Sequence, residues 1–308
     1  MADIKKRIGA FLGGFLLILG ITLGLAGCTL SEATSPGAIV DDLDRSVNIE
    51  NVPQRIVSLS PSITEILFSL DLGDEVVGVT DACDYPEQAR SKPSIGGYFK
   101  ASLEAIIAQN PDIVFSDGHD PVCAQLDGLG VTMVVLQPKD INDIFRDIEL
   151  VGEITGTKIE AEELIGEMER RIGAVAAKTA GAQEPGVFYV IDASEPSKPW
   201  TAGSGSFVDA LIGLAGGQNI AETAGQWGQF SLEALVSADP DLIIVDVSHG
   251  EVFIPDFEVL PGWKEMSAVE GERIYLIDGD LTSRPGPRIV DGLEEMARVI
   301  HPELFSSE

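Results

Sequence analysis

A sixteen-residue segment that occurs twice in the chain constrains its fold more than any other feature. Residues 102–117 read SLEAIIAQNPDIVFSD and residues 231–246 read SLEALVSADPDLIIVD, with seven of sixteen positions identical. Each copy has a serine suited to a helix N-cap, a glutamate in the first turn, an apolar face, a proline that ends the helix and a buried strand. Two such units in one chain predict two lobes of related build.

Short apolar runs alternate with helical periods on both sides of each repeat. The runs are too uniformly apolar to have one face in water, so they predict strands of parallel sheets covered by helices. The predicted strands are Ile56–Leu59, Val76–Val79, Ile113–Phe115, Val131–Leu136, Val187–Ile191 and Ile274–Ile277. The predicted helices are Ser62–Leu70, Ser102–Gln109, Ser206–Ala215 and Arg288–Ile300. We therefore expect two α/β lobes with parallel sheets and a ligand cleft between them.

The stretch from residue 140 to 180 has no strand pattern, and its apolar residues recur at helical spacing. Its second half, Lys158 to Lys178, would span roughly 30 Å as a helix, long enough to join two lobes. We predict an N-terminal lobe at 52–139, a bridging helix region at 140–180 and a C-terminal lobe at 181–308. A single helical crossing favours small opening motions over wide hinge closure.

The N-terminus has the pattern of an export signal. Basic residues 5–7 precede an uncharged apolar run, residues 8–26. The ending Leu-Ala-Gly-Cys resembles the bacterial lipoprotein processing box, which implies a signal peptide at 1–27, lipid on Cys28 and an anchor linker with lead-in at 28–51. An uncleaved anchor helix is the alternative. Either one tethers the protein to a membrane on the outer side of the cell, in the periplasm or at the cell surface.

Charge and cysteine content narrow the possible partners. The chain has 50 acidic and 20 basic residues and a net charge of -30, so it repels phosphate and is not expected to bind nucleic acid. Cys83 and Cys123 are the cysteines left after Cys28. They would lie in an oxidising compartment, but the sequence leaves open whether they form a disulfide, because it does not give their separation.

Groups suited to catalysis or metal binding are sparse. The histidines His119, His249 and His301 are too few and too scattered to predict a metal site. His301 fits a helix cap, whereas His119 and His249 follow the repeat strands of their lobes, where they are either ligand contacts or exposed loop residues. The sequence Gly-Ser-Gly-Ser at 203–206 lacks the lysine of a phosphate loop and predicts a tight turn with Ser206 as the cap. An enzyme or a sensor domain is therefore the weaker hypothesis.

Aromatic residues are few, and five of them lie between predicted elements. They are Tyr85, Tyr98, Phe99, Trp200 and Trp227. A core aromatic residue would more often lie within a periodic run, and rings on loops suit a large, partly apolar ligand. Any one of these rings alone could instead pack onto its own lobe.

Six motifs together resemble one family. They are PQRIVSLSPS at 53–62, CDYP at 83–86, IGG at 95–97, the two SLEA units, GGQNI at 216–220 and RPGPR at 284–288. They are similar to the helix-bridged (class III) periplasmic solute-binding proteins of ABC importers for vitamin B12, haem and iron-siderophores. The vitamin B12-binding branch is the most similar.

The resemblance implies a function and a set of site residues. The expected function is capture of a corrinoid and its delivery to a permease with its ATPase, by a monomer that needs no cofactor and no metal. Haem or a ferric siderophore is the alternative ligand. The implied ligand-binding residues are Ser60, Pro61, Tyr85, Gly97, Tyr98, Phe99, Trp200, Trp227 and Arg284. Glu104 and Glu233 are the implied permease-docking residues, one in each lobe. The branch carries tryptophan at position 98 and phenylalanine at position 200, so this chain keeps aromatic residues there but changes their shape.

Overall fold

A computed structural model of the protein describes residues 37–247 and 256–305. The predicted signal peptide, the predicted lipidation site Cys28, most of the linker and His249 lie outside these ranges. Within them, no helix is both long and apolar enough to cross a bilayer.

The first lobe contains a four-stranded parallel sheet with helices on both faces. Its elements are β1 (Gly37–Val40), β2 (Ser46–Ile49), β3 (Ile56–Ser58), α1 (Pro61–Ser69), β4 (Val76–Val79), β5 (Gly96–Gly97), β6 (Lys100–Ala101), α2 (Leu103–Ala108), β7 (Ile113–Ser116), α3 (Val122–Gly128) and β8 (Met133–Val135). The strand order is β4-β3-β7-β8, and every pairing in this sheet is parallel. The pairs β1–β2 and β5–β6 form separate antiparallel hairpins.

The bridging region contains α4 (Ile141–Thr155) and α5 (Lys158–Thr179). Asp140 begins α4, since its carboxylate accepts the backbone N–H of Asp143 at 2.9 Å. Gly156 ends α4 with a φ of 77°, a left-handed conformation that glycine adopts without strain. The chain passes from the first lobe to the second through these two helices.

The second lobe repeats the design. Its elements are β9 (Gly186–Val190), β10 (Trp200–Ala202), α6 (Phe207–Leu214), β11 (Gln218–Asn219), β12 (Trp227–Gln229), α7 (Leu232–Ala238), β13 (Leu242–Asp246), α8 (Ser267–Glu270), β14 (Ile274–Ile277), α9 (Asp280–Ser283), α10 (Ile289–Ile300) and α11 (Pro302–Phe305). The parallel sheet has the order β11-β9-β13-β14. In both lobes the second strand of the sheet lies at the edge, followed by the first, third and fourth, so the predicted pair of related α/β lobes is confirmed.

One hydrophobic core runs through both lobes and the bridging helices. It includes Phe115 in the first sheet, Ile148 in α4, Met168 in α5 and Tyr189 in the second sheet, all at most 1% exposed. Because α4 and α5 share this core with both sheets, relative movement of the lobes has to disturb packed side chains. Smaller cores fill the other face of each sheet.

One expectation from the sequence is corrected. Trp200 and Trp227 do not lie in loops; they belong to β10 and β12, which pair antiparallel. These three-residue strands are too short to show an alternating pattern. Cys83 and Cys123 are free thiols on opposite faces of the first sheet, packed in different cores. The Cys83 thiol contacts the hydroxyl of Thr64 at 3.1 Å. The disulfide that the sequence left open is absent from the structure, because both thiols are free.

The expected capping role of His301 is confirmed. The residue follows the last residue of α10 and is 3% exposed. Its Nε2 lies 3.0 Å from the carbonyl oxygen of Gly216. Gly216 has a φ of +82°, and a Cβ there would lie 2.9 Å from the same imidazole nitrogen. Only glycine therefore fits at the start of the GGQNI motif.

Candidate functional site: an interlobe cleft

A cleft of about 530 Å³ lies between the two lobes. Residues of the first lobe that follow β3, β7 and β8 line one side, and residues near β12, α6 and α9 line the other. The lining side chains are those of Ser60, Pro61, Ser62, Ala82, Tyr98, Asp117, His119, Leu136, Gln137, Pro138, Lys139, Phe207, Gln226, Trp227, Asp280, Ser283, Arg284 and Pro285. In open parallel sheets ligands bind beyond the carboxyl ends of the strands, and this cleft lies there in the first lobe.

Two aromatic residues reach the cleft from equivalent places. Tyr98 lies in the β5–β6 hairpin, four residues before Ser102, and Trp227 begins β12, four residues before Ser231. Both serines cap their helices, since each hydroxyl accepts the backbone N–H three residues later at 3.2 Å. The repeat therefore extends upstream of the SLEA units and places one ring on each side of the cleft.

The Tyr98 phenol belongs to a small polar group of the first lobe. Its hydroxyl donates a short hydrogen bond to the carboxylate of Asp117. Burial and this carboxylate raise the pKa of Tyr98 above its ordinary value. Asp117 also faces the imidazole of His119, whose Nδ1 is 3.2 Å away. A phenol, a carboxylate and an imidazole thus lie together at the cleft.

The predicted ligand-binding residues divide into two groups. Ser60, Pro61, Tyr98, Trp227 and Arg284 line the cleft, whereas Tyr85, Gly97, Phe99 and Trp200 do not. Phe99 is 69% exposed at the hairpin tip, with its ring centroid 4.4 Å from that of Tyr98. Tyr85 instead stacks against the guanidinium of Arg288, 3.9 Å from its ring centroid.

Arg284 lines the cleft, but its charge is already paired. Its guanidinium donates to Asp84 at 2.8 Å and to Glu65 at 3.3 Å, and it contacts Asp280 at 2.6 Å. Burial opposes its charge, but the hydrogen bond with Asp84 and the nearby carboxylates outweigh that effect and raise the pKa of Arg284. Among the residues that the structure describes, the other lysine or arginine that lines the cleft is Lys139.

Sequence reasoning missed several residues that line the cleft. Asp117, Gln137 and Lys139 follow the ends of strands β7 and β8, and Gln226 precedes Trp227. A systematic search of the residues after each predicted strand would have found the first three, because those positions face the ligand side of a parallel sheet. His119, which the sequence placed among candidate contacts, also lines the cleft.

The two implied docking residues occupy matching positions outside the cleft. Glu104 and Glu233 lie in the first turns of α2 and α7, and both side chains are exposed. One turn later, Ile107 and Val236 are 42% and 38% exposed. Each lobe therefore presents an acidic residue next to an aliphatic one at the same point of its repeat.

The described residues contain no cluster of three or more histidine, cysteine, aspartate or glutamate side chains that could hold a metal ion.

Comparison with known proteins identifies the family. Residues 56–281 match the periplasmic binding protein family. The chain belongs to this family. It is a substrate-binding protein of an ABC transporter. Such a protein lies outside the cytoplasm and works with a permease and an ATPase. Proteins of this family are solute-binding proteins, not enzymes.

The relatives differ in the ligands that they bind. The chain is 31% identical to an ABC transporter substrate-binding lipoprotein, YvrC, of Bacillus subtilis, over 98% of this chain and 99% of the relative. It is 27% identical to the vitamin B12-binding protein of Vibrio cholerae, over 79% of this chain and 87% of the relative. The periplasmic haem-binding protein RhuT of Roseiflexus sp. RS-1 has 27% identity and a TM-score of 0.70, covering 82% of this chain and 99% of that one.

Proposed function

We propose that the protein binds a corrinoid of the vitamin B12 type in the interlobe cleft and delivers it to the permease of an ABC importer. The observation that carries this proposal is the pairing of Tyr98 and Trp227 across a cleft with little free positive charge. Flat aromatic rings on both sides suit a large ring ligand, since they supply contact area at little cost in conformational entropy.

The charges at the cleft favour a ligand that is weakly charged. Of the arginine and lysine side chains described at the cleft, Arg284 has three carboxylate partners and Lys139 is exposed to solvent. Asp117 and Asp280 also line the cleft and add negative charge. A polyanionic ferric chelate would be repelled there, because like charges at close range in a partly buried site raise the free energy of binding. A corrinoid such as cyanocobalamin carries no net charge and avoids that repulsion.

The open rim allows a ligand larger than the cavity to bind. The cavity volume of about 530 Å³ lies within the range of about 300–1,000 Å³ that is usual for small-molecule sites. On the rim, Trp227 is 46% exposed and the His119 side chain 61% exposed. A corrinoid would insert one part between the aromatic rings and leave another part in solvent.

Haem is the second candidate ligand. Tyr98 and His119 lie at the cleft around Asp117, and phenolate and imidazole groups are both known ligands of haem iron. The haem propionates, however, would meet the acidic surroundings of Arg284. The charge distribution therefore ranks haem and anionic ferric siderophores behind a corrinoid.

Two further parts of the proposal concern where the protein works. Cys28 would carry a lipid that keeps the protein at the membrane surface. Glu104 and Glu233 would contact basic residues of the permease, one from each lobe, with Ile107 and Val236 beside them as apolar contacts. Opposite charges at such an interface raise the association rate and set the orientation of the complex.

A tryptophan fluorescence titration tests the ligand. The purified protein is titrated with cyanocobalamin, haemin and a ferric siderophore panel, with Trp227 as the reporter in the cleft. Saturation by cyanocobalamin supports the proposal. Saturation by haemin or a siderophore, with no response to any corrinoid, contradicts it.

A further inference from the structure

Two carboxylates of the first lobe, Asp84 and Glu65, accept hydrogen bonds from Arg284 of the second lobe. Asp84 accepts a hydrogen bond from Nη1 of Arg284 at 2.8 Å, and Glu65 accepts one from the same nitrogen at 3.3 Å. The Arg284 side chain is 11% exposed. At that degree of burial its charge interacts strongly with neighbours and weakly with solvent.

Of these two carboxylates, Asp84 is the main counter-ion of Arg284. Glu65 interacts more closely with Arg288, which donates two hydrogen bonds to it, through Nε at 2.9 Å and through Nη2 at 2.6 Å. This bidentate geometry is the strongest arrangement available to an arginine and a carboxylate. Burial alone would raise the pKa of Asp84, but its hydrogen bond with Arg284 outweighs that effect and holds the pKa below the ordinary value. Asp84 therefore stays ionised at neutral pH.

The segment that carries both arginines packs closely against the first lobe. A Cβ at Gly286 would lie 3.2 Å from the backbone oxygen of Ser62, so the backbones of the two lobes approach closely there. Pro285 and Pro287 flank this glycine. The ring of each proline fixes its own φ angle, which limits the conformations that the segment can adopt. Arg284 cannot turn toward a ligand without leaving its partners in the first lobe.

We infer that Asp84 is a specificity-determining residue that excludes anionic ligands from the cleft, because from the opposite lobe it completes the neutralisation of Arg284 that Asp280 begins. This inference rests on the proposed function, since it explains how the site selects a weakly charged ligand. An anionic group that approaches Arg284 must compete with Asp84 and Asp280 for its guanidinium and also meets Asp117 on the cleft wall. An uncharged ligand leaves the ion pair intact.

The variant Asp84→Asn tests this inference. Asparagine keeps the shape and one oxygen acceptor for Arg284 but removes the negative charge. The probes are ferric enterobactin, an anionic tris-catecholate chelate, and uncharged cyanocobalamin, both measured by calorimetry. The ratio of their affinities is expected to shift toward the chelate by about tenfold or more. Raising the salt concentration should reduce the gain in chelate affinity, because the new attraction is ionic.

Two further variants isolate the cause. Asp81→Asn removes the same charge from an exposed side chain nearby in the sequence, one that accepts from Ser94, and should leave the ratio within about twofold of wild type. In the double variant Asp84→Asn with Arg284→Gln, the gain in chelate affinity should disappear.

An unchanged ratio in Asp84→Asn overturns the inference, and so does a gain that persists without Arg284 or that appears equally in Asp81→Asn. These outcomes are separate from the test of the proposed function, which depends on whether the wild-type protein binds cyanocobalamin.

Discussion

Tyr98 and Trp227 occupy the same position in two copies of one structural unit, and both line the cleft between those copies. The internal repeat thus does more than build two similar sheets, because it also places one aromatic ring on each side of the cleft. Four predictions concern the cleft, the contacts between the lobes, a buried acid and the docking surface, and a fifth measurement tests the ligand itself.

Trp227→Ala should weaken binding of cyanocobalamin by about tenfold to a hundredfold, since loss of an aromatic contact of this size removes about 1.5–3 kcal/mol. Calorimetric titration measures the change. Trp200→Ala is the matched control, because Trp200 is exposed to the same extent but does not line the cleft. Equal losses in the two variants would refute a specific role for Trp227.

Glu65→Gln should lower the free energy of unfolding by about 3 kcal/mol, because it leaves the buried charge of Arg288 without its bidentate partner. Burial raises the pKa of Glu65, so the desolvation that the neutral amide avoids offsets only part of this loss. The Glu65 side chain is 1% exposed, so solvent replaces little of the lost interaction. Thermal denaturation at neutral pH measures the effect. The control Glu87→Gln alters an exposed side chain and should shift Tm little; a Tm of Glu65→Gln equal to that of the control would contradict the prediction.

Asp147→Asn should stabilise the protein at alkaline pH. Burial and the carboxylate of Asp42 raise the pKa of Asp147 from 3.8 to about 8. The charge of Arg146 lowers this pKa in part, and the carboxylate of Asp143 raises it slightly. Both carboxylate oxygens of Asp147 are buried without a hydrogen-bond partner.

The direction of the pH effect follows from linkage. With its pKa raised in the folded state, Asp147 contributes stability that is fully present below pH 3.8 and is lost as the pH rises through about 8. The advantage of Asp147→Asn over wild type should therefore grow between these values by up to about 1.4 kcal/mol per pH unit. Thermal denaturation from pH 4 to 9 measures it, with exposed Asp74→Asn as the control. A pH-independent difference would disprove the assignment.

Glu104→Ala combined with Glu233→Ala should weaken capture of the permease and leave ligand affinity intact, because both side chains lie outside the cleft. A pull-down with the permease in detergent measures the effect. The control pair Glu162→Ala with Glu163→Ala removes two exposed charges from α5 and should have no effect. Unchanged capture by the first pair would argue against docking through these glutamates.

The sequence predicted those features that depend on local patterns. The uniformly apolar strands, the serine caps at Ser102, Ser206 and Ser231, and the end of α10 at His301 all appear in the structure. Each of these is decided by residues within a few positions of one another, so a short window of sequence contains the information.

Features that depend on distant partners escaped prediction. The pairing of β10 with β12 joins short strands on either side of a helix, and the contacts of Arg284 join residues 200 and 219 positions apart in the chain. Only the folded arrangement shows that Arg284 is neutralised and that the two cysteines lie on opposite faces of one sheet. Arg284 lines the cleft, as its expected role in ligand binding required. The sequence did not predict the carboxylates that pair with it.

Isothermal titration calorimetry of the wild-type protein with cyanocobalamin, beside haemin and ferric enterobactin, tests the central claim most directly. We predict one corrinoid bound per chain with a dissociation constant of about 1 μM or lower, and weaker binding of both iron ligands. Tight binding of haemin or ferric enterobactin with no heat from cyanocobalamin would contradict the account.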